Sequence, residues 1–461
     1  MPTTFPPSPA PSLRTKSPLS KLTTSSDAAS SSSSSSETIT KLTNCRLIRG
    51  SKLVVGDLWV SSLTGRILDG QQVFYDSHNS NRVVPDRVID LGGKIVSPGL
   101  IDVQLNGAYN INFSQVPEPA DGKTSGEIFA EEVKEVNRKL VSSGVTAYLP
   151  TLTSSKRDVY HAVLPHLGPS EGRNASSGSE SLGAHCEGPF LSPTKSGCHP
   201  VEVLVEAPRR FADIADMYGE ENVQSGKIKM ITAAPELSGI TESIPAMRKH
   251  NIIYSLGHSE ATYEDASAAV QAGGTMITHL FNAMRPLNHR NPGIFGVLGT
   301  SETEAARRPY FGLIADGIHL HPSSIKIAYG MHPQGCVLVT DAMHLVGMPD
   351  GIYPSAVNGN IEKTGSRLTL EGRPDKIAGS AVTLMECVRN FIEWTGASVP
   401  EAVAAVTSTP AKMLGLEGTK GCLEIDADAD LVVFDDSEGK LDVRQVWKFG
   451  VCVYDKEEET K

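Results

Sequence analysis

A (β/α)8 TIM-like barrel carrying a small β-sandwich domain built from both chain ends is the fold class that the sequence predicts. Three observations lead there. Short, apolar, β-rich runs alternate with helical stretches over roughly 250 residues of the middle, the size and rhythm of such a barrel. Nearly all of those runs end on a polar side chain capable of chemistry. The two chain ends share a different texture, short strands broken at Gly and Asp.

Along the chain, residues 1–40 begin with PTTFPPSPAPSL and pass through seven consecutive serines at 30–36. Such material buries too little surface to offset its ordering entropy, so a disordered tail is expected. Arg14, Lys16 and Lys21 precede the first acid, Asp27, a faint transit-peptide texture. Frequent proline and the lack of an amphipathic, Arg-bearing helix favour a plain tail instead. No secretory signal is read, so the Asn174-Ala175-Ser176 sequon is expected to stay unused.

KLTNCRLIRG, SKLVVGDLWVSSLTGRILDG and DRVIDLGGKIVSPG give the first part of the β-sandwich, over 41–97. GCLEIDADADLVVFDDSEGKLDVRQVWKFGVCVYD gives its second part, over 416–455. The barrel takes 98–415 between them. Its strands are expected at KIVSPGLIDVQLNG, VTAYLPT, LGAHCEGP, IKMITAAPE, IIYSLGHS, TMITHLFN, YFGLIADG and GCVLVTDA. The clearest helix is GEIFAEEVKEVNRKLVSSG, with apolar Ile128, Phe129, Val133, Val136 and Leu140 on one face and Gly144 at its end. EATYEDASAAVQAGG closes on paired glycines in the same way. A doubly wound sheet is the structural alternative, but no Gly-rich phosphate turn follows the first strand.

Composition narrows the function. A chain of 461 residues with 39% hydrophobic and 21% charged residues has material for a large core. A formal net charge of −11 argues against non-specific nucleic-acid binding, which needs a basic footprint. No apolar run is long enough to span a bilayer, so no membrane partner is expected. The 7 cysteines are scattered without a CxxC pair, the usage of a cytoplasmic protein with reduced thiols. Cys186 and Cys198 alone lie close together, and both read as small packing residues.

The stretch LGAHCEGPFLSPTKSGCHP, 182–200, ends an apolar run on His185, Cys186 and Glu187. A redox or Cys-rich metal site, a salt bridge and a catalytic carboxylate are all open there. The other runs end on Asp102, Gln104 and Asn106; Thr151; Glu236; His258; His279 and Asn282; Asp316 and His319; and Asp341. Each alone has a dull reading as a cap, a turn former or a core hydrogen-bonder. In a barrel all of them converge on one face. Glu187, His258 and His279 then offer one carboxylate oxygen and two imidazoles, a ligand set that leaves a fourth position open on a catalytic metal. A divalent ion there lowers the pKa of a bound water to about 7 and polarises a carbonyl. Asp341 beside it is placed to act as general base and then to protonate the leaving group.

PGLIDVQLNG, HCEGPF, GHSEATY, THLFNAM, ADGIHLHP, LVTDAMHL and IAGSAVTL, in that order, resemble the amidohydrolase superfamily. Within it the chain is most similar to the deacetylases of N-acetylglucosamine 6-phosphate. The resemblance runs from about residue 42 to residue 455. It implies an amidohydrolase-type barrel with Glu187, His258 and His279 as metal ligands and Asp341 as the catalytic acid/base. It implies that His199 hydrogen-bonds the acetyl carbonyl and helps to hold the oxyanion. By the same resemblance, His319 contacts the sugar or its phosphate, and Asn282, the Ala283 backbone and Arg290 bind the phosphate, a role suited to a forked guanidinium. Ile377, Ala378 and Gly379 would line the sugar pocket through their backbone. A homodimer is implied, because the arginine can come from a neighbouring subunit. His185 reads as a residue behind the ligands, His321 as dispensable, and Arg285 and His289 as solvated loop residues.

One departure bears on the metal. Many amidohydrolases carry His-x-His at the end of the first strand and hold two ions, whereas here Gln104-Leu105-Asn106 stands in that place. Amides are poor ligands beside imidazole, so one divalent metal per chain is expected, Zn2+ first, with Fe2+, Co2+ and Mn2+ accepting the same donors. Gln104 is expected near the acetyl group or the water on that metal. The implied reaction is hydrolysis of N-acetyl-D-glucosamine 6-phosphate to D-glucosamine 6-phosphate and acetate. Its rivals are an amidohydrolase of another amide and a scaffold that has lost catalysis.

Overall fold

The computed structural model describes residues 38–71, 84–299, 308–355, 359–437 and 439–459. The disordered tail expected over 1–40 falls almost wholly outside the described residues.

Parallel strands form the barrel in chain order: β1 (Leu100–Leu105), β2 (Val145–Leu152), β3 (Ala184–Glu187), β4 (Ile228–Ala233), β5 (Ile253–Leu256), β6 (Met276–Ile277), β7 (Tyr310–Ile314) and β8 (Cys336–Val339). Each lies inside one of the expected runs, except that β2 runs on one residue past VTAYLPT to Leu152. Each pairs in parallel with the next, from β1·β2 round to β7·β8. The ring meets itself where Leu105 of β1 bridges Ala342, just past β8. There Asp341 N–H donates to Gln104 O and Asn106 N–H to Ala342 O, each at 2.9 Å.

The alternation of each strand explains why its whole run is apolar. One set of positions, Ile101, Val103, Ala147, Leu149, Met230, Met276, Ile314, Val337 and Val339, forms its own cluster with Ala411, Met413 and Leu414. The intervening set, among them Tyr148, Cys186, Ile231, Leu256, Phe311 and Leu338, joins the helical residues Val136, Leu164, Met247 and Phe391. Both faces are covered, as parallel sheets require. Each fully buried side chain of this size contributes about 1.5–3 kcal/mol of burial.

The helices start where their caps say. Thr124 with Glu127, Thr262 with Asp265 and Thr383 with Glu386 form capping boxes on Ser125–Leu140, Tyr263–Ala272 and Leu384–Thr395. Each such cap is worth about 1 kcal/mol. Phe129, Val133, Val136 and Leu140 are the buried face of the first. Gly144, expected to end that segment, takes φ +89°, a left-handed turn that a side chain would oppose.

Both chain ends meet in one mixed sheet of eight strands. Its order is Val451–Asp455, Asp442–Lys448, Leu431–Asp435, Ile95–Pro98, Ile39–Arg49, Lys52–Ser61 and Arg66–Leu68, with Arg87–Asp90 beside Ile39–Arg49. Leu42, Leu47, Val60, Val96, Leu431, Val433 and Trp447 give it a core separate from the barrel's. A four-stranded sheet over Gly351–Tyr353, Ile361–Thr364, Arg367–Leu370 and Arg373–Ser380 was not expected from the sequence. It follows β8 directly.

Candidate active site

Three donors close on one point at the carboxyl ends of the strands. Glu187 ends β3, His258 lies two residues past β5, and His279 two residues past β6. Glu187 Oε1 stands 3.1 Å from His258 Nε2 and 3.0 Å from His279 Nε2, and the two ring nitrogens are 3.0 Å apart. All three residues are at least 95% buried, with exposures of 2%, 5% and 3%. His258 Nδ1 faces the Lys195 carbonyl at 2.8 Å. A carbonyl only accepts, so Nδ1 carries a proton, and Nε2 is the ring nitrogen turned toward Glu187.

Two acceptors do not hydrogen-bond each other. A carboxylate oxygen and an imidazole lone pair held 3.1 Å apart need a cation or a proton between them. Donors bound to one tetrahedral zinc-like ion at about 2.05 Å lie about 3.3 Å from one another. The observed edges are close to that, and the residues fit a divalent metal. Burial lowers the His279 pKa, but the hydrogen bond and charge of Glu187 outweigh it and lift it to about 9. The same field favours any cation.

Two amides and a second carboxylate surround the triad. Gln104 Nε2 donates to Glu187 Oε1 at 3.1 Å, and Asn106 Nδ2 donates to Asp341 Oδ1 at 2.9 Å. The Gln-x-Asn sequence thus supplies a donor to each carboxylate. Gln104, expected near the acetyl group or the metal's water, has its amide engaged with Glu187, beside the candidate metal position. Asp341 follows β8 by two residues, and burial first, then the Glu187 charge, raises its pKa to about 6. A carboxyl so raised is a better proton acceptor than one in water and still ionises near neutral pH.

His199 sits in the loop after β3, 8% exposed, its ring 4.6 Å from that of His258. Ser154 N–H donates to His199 Nδ1 at 3.0 Å, and Ser154 Oγ lies 2.8 Å from the same atom. A backbone N–H only donates, so Nδ1 is the acceptor and the proton is on Nε2. Burial first, then His258, lowers its pKa to about 3. This is a neutral ring with one N–H to offer.

The remaining expectations divide. His319 Nδ1 pairs with Asp316 Oδ2 at 2.7 Å, while Asp316 Oδ1 accepts the N–H groups of Ile318 and His319. Burial lowers the His319 pKa, but Asp316 outweighs it and the net shift is upward. Asn282 Nδ2 is buried with no hydrogen-bond partner among the described residues. Ala283 takes φ +47°, and its carbonyl accepts Ser259 N–H. Arg290 is exposed and makes no ion pair with a described residue, whereas Arg285 reaches Glu260 at 3.5 Å. Ile377, Ala378 and Gly379 lie on Arg373–Ser380, tied beside the site by Met343 N–H to Ser380 O.

His185 bonds away from the triad, to Thr232 Oγ1 at 2.7 Å and the Val103 carbonyl at 3.2 Å. Cys186 packs in the core, Cys198 is exposed, and all seven thiols are free. Glu236 anchors the loop after His258, accepting Ser259 Oγ–H and Glu260 N–H at 2.6 Å. His321 caps Pro322–Met331. Ser154 and the Lys195 carbonyl, which set both histidine tautomers, carry no signal in the sequence.

A second acidic cluster, Glu180, Asp428 and Asp430, is already paired with Lys420, Lys448 and Arg173. Among the described residues that leaves Glu187, His258 and His279 as the metal-competent set.

Such a barrel, with its reactive groups gathered at the strand ends, is the frame of many enzyme classes, and comparison with known proteins narrows the class. The amidohydrolase family profile matches residues 95–453, and the chain belongs to that family. It is 42% identical to N-acetylglucosamine-6-phosphate deacetylase of Bos taurus over 422 residues, 91% of this chain and 97% of that one. The Homo sapiens protein of the same name is 42% identical over 401 residues, 87% and 92% of the two chains. Among solved structures, a mutant of N-acetyl-D-glucosamine-6-phosphate deacetylase from Mycobacterium smegmatis, in complex with N-acetyl-D-glucosamine-6-phosphate, superposes with a TM-score of 0.69 at 26% identity. It covers 91% of this chain and 99% of its own.

Proposed function

We propose that this site hydrolyses the acetamide of N-acetyl-D-glucosamine 6-phosphate, releasing acetate and D-glucosamine 6-phosphate, a step of amino-sugar catabolism. The observation that carries the reading is the Glu187, His258 and His279 triad with Asp341 across from it, in a chain alike over nine-tenths of its length to deacetylases of that substrate. Glu187, His258 and His279 would hold one divalent ion per chain, Zn2+ first among Fe2+, Co2+ and Mn2+. Such an ion supplies Lewis acidity toward the acetyl carbonyl and makes water acidic enough to attack near neutral pH.

The chain's own residues do the rest. Asp341, held by Asn106, takes a proton from the attacking water and passes it to the amine as the C–N bond breaks. His199 offers its Nε2–H to the carbonyl oxygen as negative charge gathers there. A neutral donor of fixed tautomer suits that task, since it needs no reorganisation. The unpartnered Asn282 amide, the Ala283 backbone and Arg290 receive the phosphate, and His319, oriented by Asp316, faces the sugar. Ile377, Ala378 and Gly379 line the pocket.

The exposed Arg290 fits delivery across a homodimer, and the free thiols fit a cytoplasmic setting. Among the described residues no helix is long and apolar enough to cross a membrane. The test of the phosphate assignment compares phosphorylated and unphosphorylated N-acetylglucosamine with Arg290→Ala. The variant should raise KM for the phosphorylated sugar at least about tenfold and leave the other unchanged, as loss of a bidentate phosphate contact requires. Equal effects on both substrates would remove Arg290 from the phosphate site.

A further inference from the structure

The barrel seam beside Asp341 is closed by a buried carboxylate that the chemistry above does not use. β1 shifts register between Asp102 and Leu105, and Leu105 then meets Ala342 in an isolated bridge. Asp102 Oδ1 accepts the backbone N–H groups of Gln104 at 3.2 Å and of Thr340 at 3.3 Å. Asp102 Oδ2 accepts the Thr340 hydroxyl at 2.6 Å. That hydroxyl in turn accepts Ala342 N–H at 3.3 Å and lies 3.1 Å from Gln104 O.

One hydroxyl and one carboxylate therefore grip the residues on either side of Asp341 and tie them to β1. Asp341 needs such a grip. Its φ of +45° is a left-handed conformation that a non-glycine residue keeps only where its surroundings over-determine it. Asp102 is 1% exposed, and burial, opposed only in part by the hydrogen bonds of Thr340 and Gln104, raises its pKa to about 7. Its acceptor capacity here goes to the turn, with bonds to Thr340 and Gln104.

We infer that Asp102 and Thr340 are a positioning pair that fixes the turn carrying Asp341, and so govern proton transfer and not substrate or metal binding. The inference rests on the role given to Asp341 in the proposed hydrolysis. A pair that served the barrel alone would lower the unfolding temperature and leave the folded enzyme's kcat intact.

Steady-state acetate release, bound metal and thermal unfolding of Thr340→Val and Thr340→Ser beside the unaltered protein separate these cases. Thr340→Val keeps the shape and loses the hydroxyl. Its kcat should fall roughly 10–100-fold, the scale of a misplacement near 1 Å, with KM within about twofold and metal content unchanged. Thr340→Ser, which restores the hydroxyl, should recover kcat to within about threefold. If Thr340→Val does not fold, Thr340→Ala carries the same expectation without the added methyl. A folded, metal-loaded Thr340→Val or Thr340→Ala with kcat within about twofold of the unaltered protein would overturn the inference. So would a kcat loss that tracks lost metal, or one that Thr340→Ser does not repair. Absence of acetate release by the unaltered protein would instead overturn the reading of the site beneath it.

Discussion

Asp341, His258 and His279 all stand at positive φ, +45°, +50° and +27°, just beyond the strands that carry them. Leaving the extended conformation there turns each side chain from the strand direction into the barrel mouth, at a local cost that the seam and loop hydrogen bonds offset. The residue types and their order along the chain could be read in advance, because a Glu, two His and an Asp each close an apolar run. The backbone conformation could not, since nothing in VTD or GHS marks a left-handed residue. Nor could Ser154 and the Lys195 carbonyl, which act on rings 45 and 63 positions away. Asp341→Asn should lower kcat about a thousandfold with metal still bound, as loss of a general acid/base does. His199→Ala should cost about a hundredfold in kcat with KM within a few-fold, the signature of a lost oxyanion donor. Stopped assays on metal-counted protein check both, and a His199→Ala effect confined to KM would contradict the donor role.

At the scale of elements, the barrel strands were legible because parallel strands covered on both faces need continuous apolar runs. Arg373–Ser380 was not, since most of it is exposed and it lacks alternation. The chain-end strands meet the barrel at an ion cluster in which Glu180 joins Lys420, Asp428, Asp430 and Lys448 from far away in sequence. Lys420, Lys448 and Arg173 there pair with Glu180, Asp428 and Asp430. Burial raises the Asp430 pKa, but the two lysines outweigh it and hold it at about 2, below the unfolded value of 3.8. A carboxylate whose pKa is depressed on folding stabilises the fold above the unfolded value and loses that contribution as pH falls toward about 2. The contribution is on the order of 2 kcal/mol. Asp430→Asn should therefore lower the unfolding midpoint at pH 7, with the difference shrinking between about pH 4 and pH 2. Urea unfolding across that range checks it; a constant difference would show that charge is not the cause.

For the whole molecule, two separated chain ends form one sheet, and the long segment between them forms the barrel. The textures of the ends announced that pairing; the strand order within the sheet had no sequence signal, because strands of similar composition can pair in several orders. Removing the metal should couple site to fold. Exhaustive chelation is expected to abolish turnover and lower the unfolding temperature by a few degrees, with Zn2+ restoring both, since an ion bound to the native state alone stabilises it by mass action. Calorimetry before and after chelation reads this directly.

Acetate release from N-acetyl-D-glucosamine 6-phosphate, with bound metal counted on the same purified sample and Asp341→Asn run beside it, is the decisive test of the proposed hydrolysis. Turnover with about one metal per chain is expected, lost in the variant while the metal stays bound. A folded, metal-supplemented protein that holds no metal and releases no acetate would contradict it.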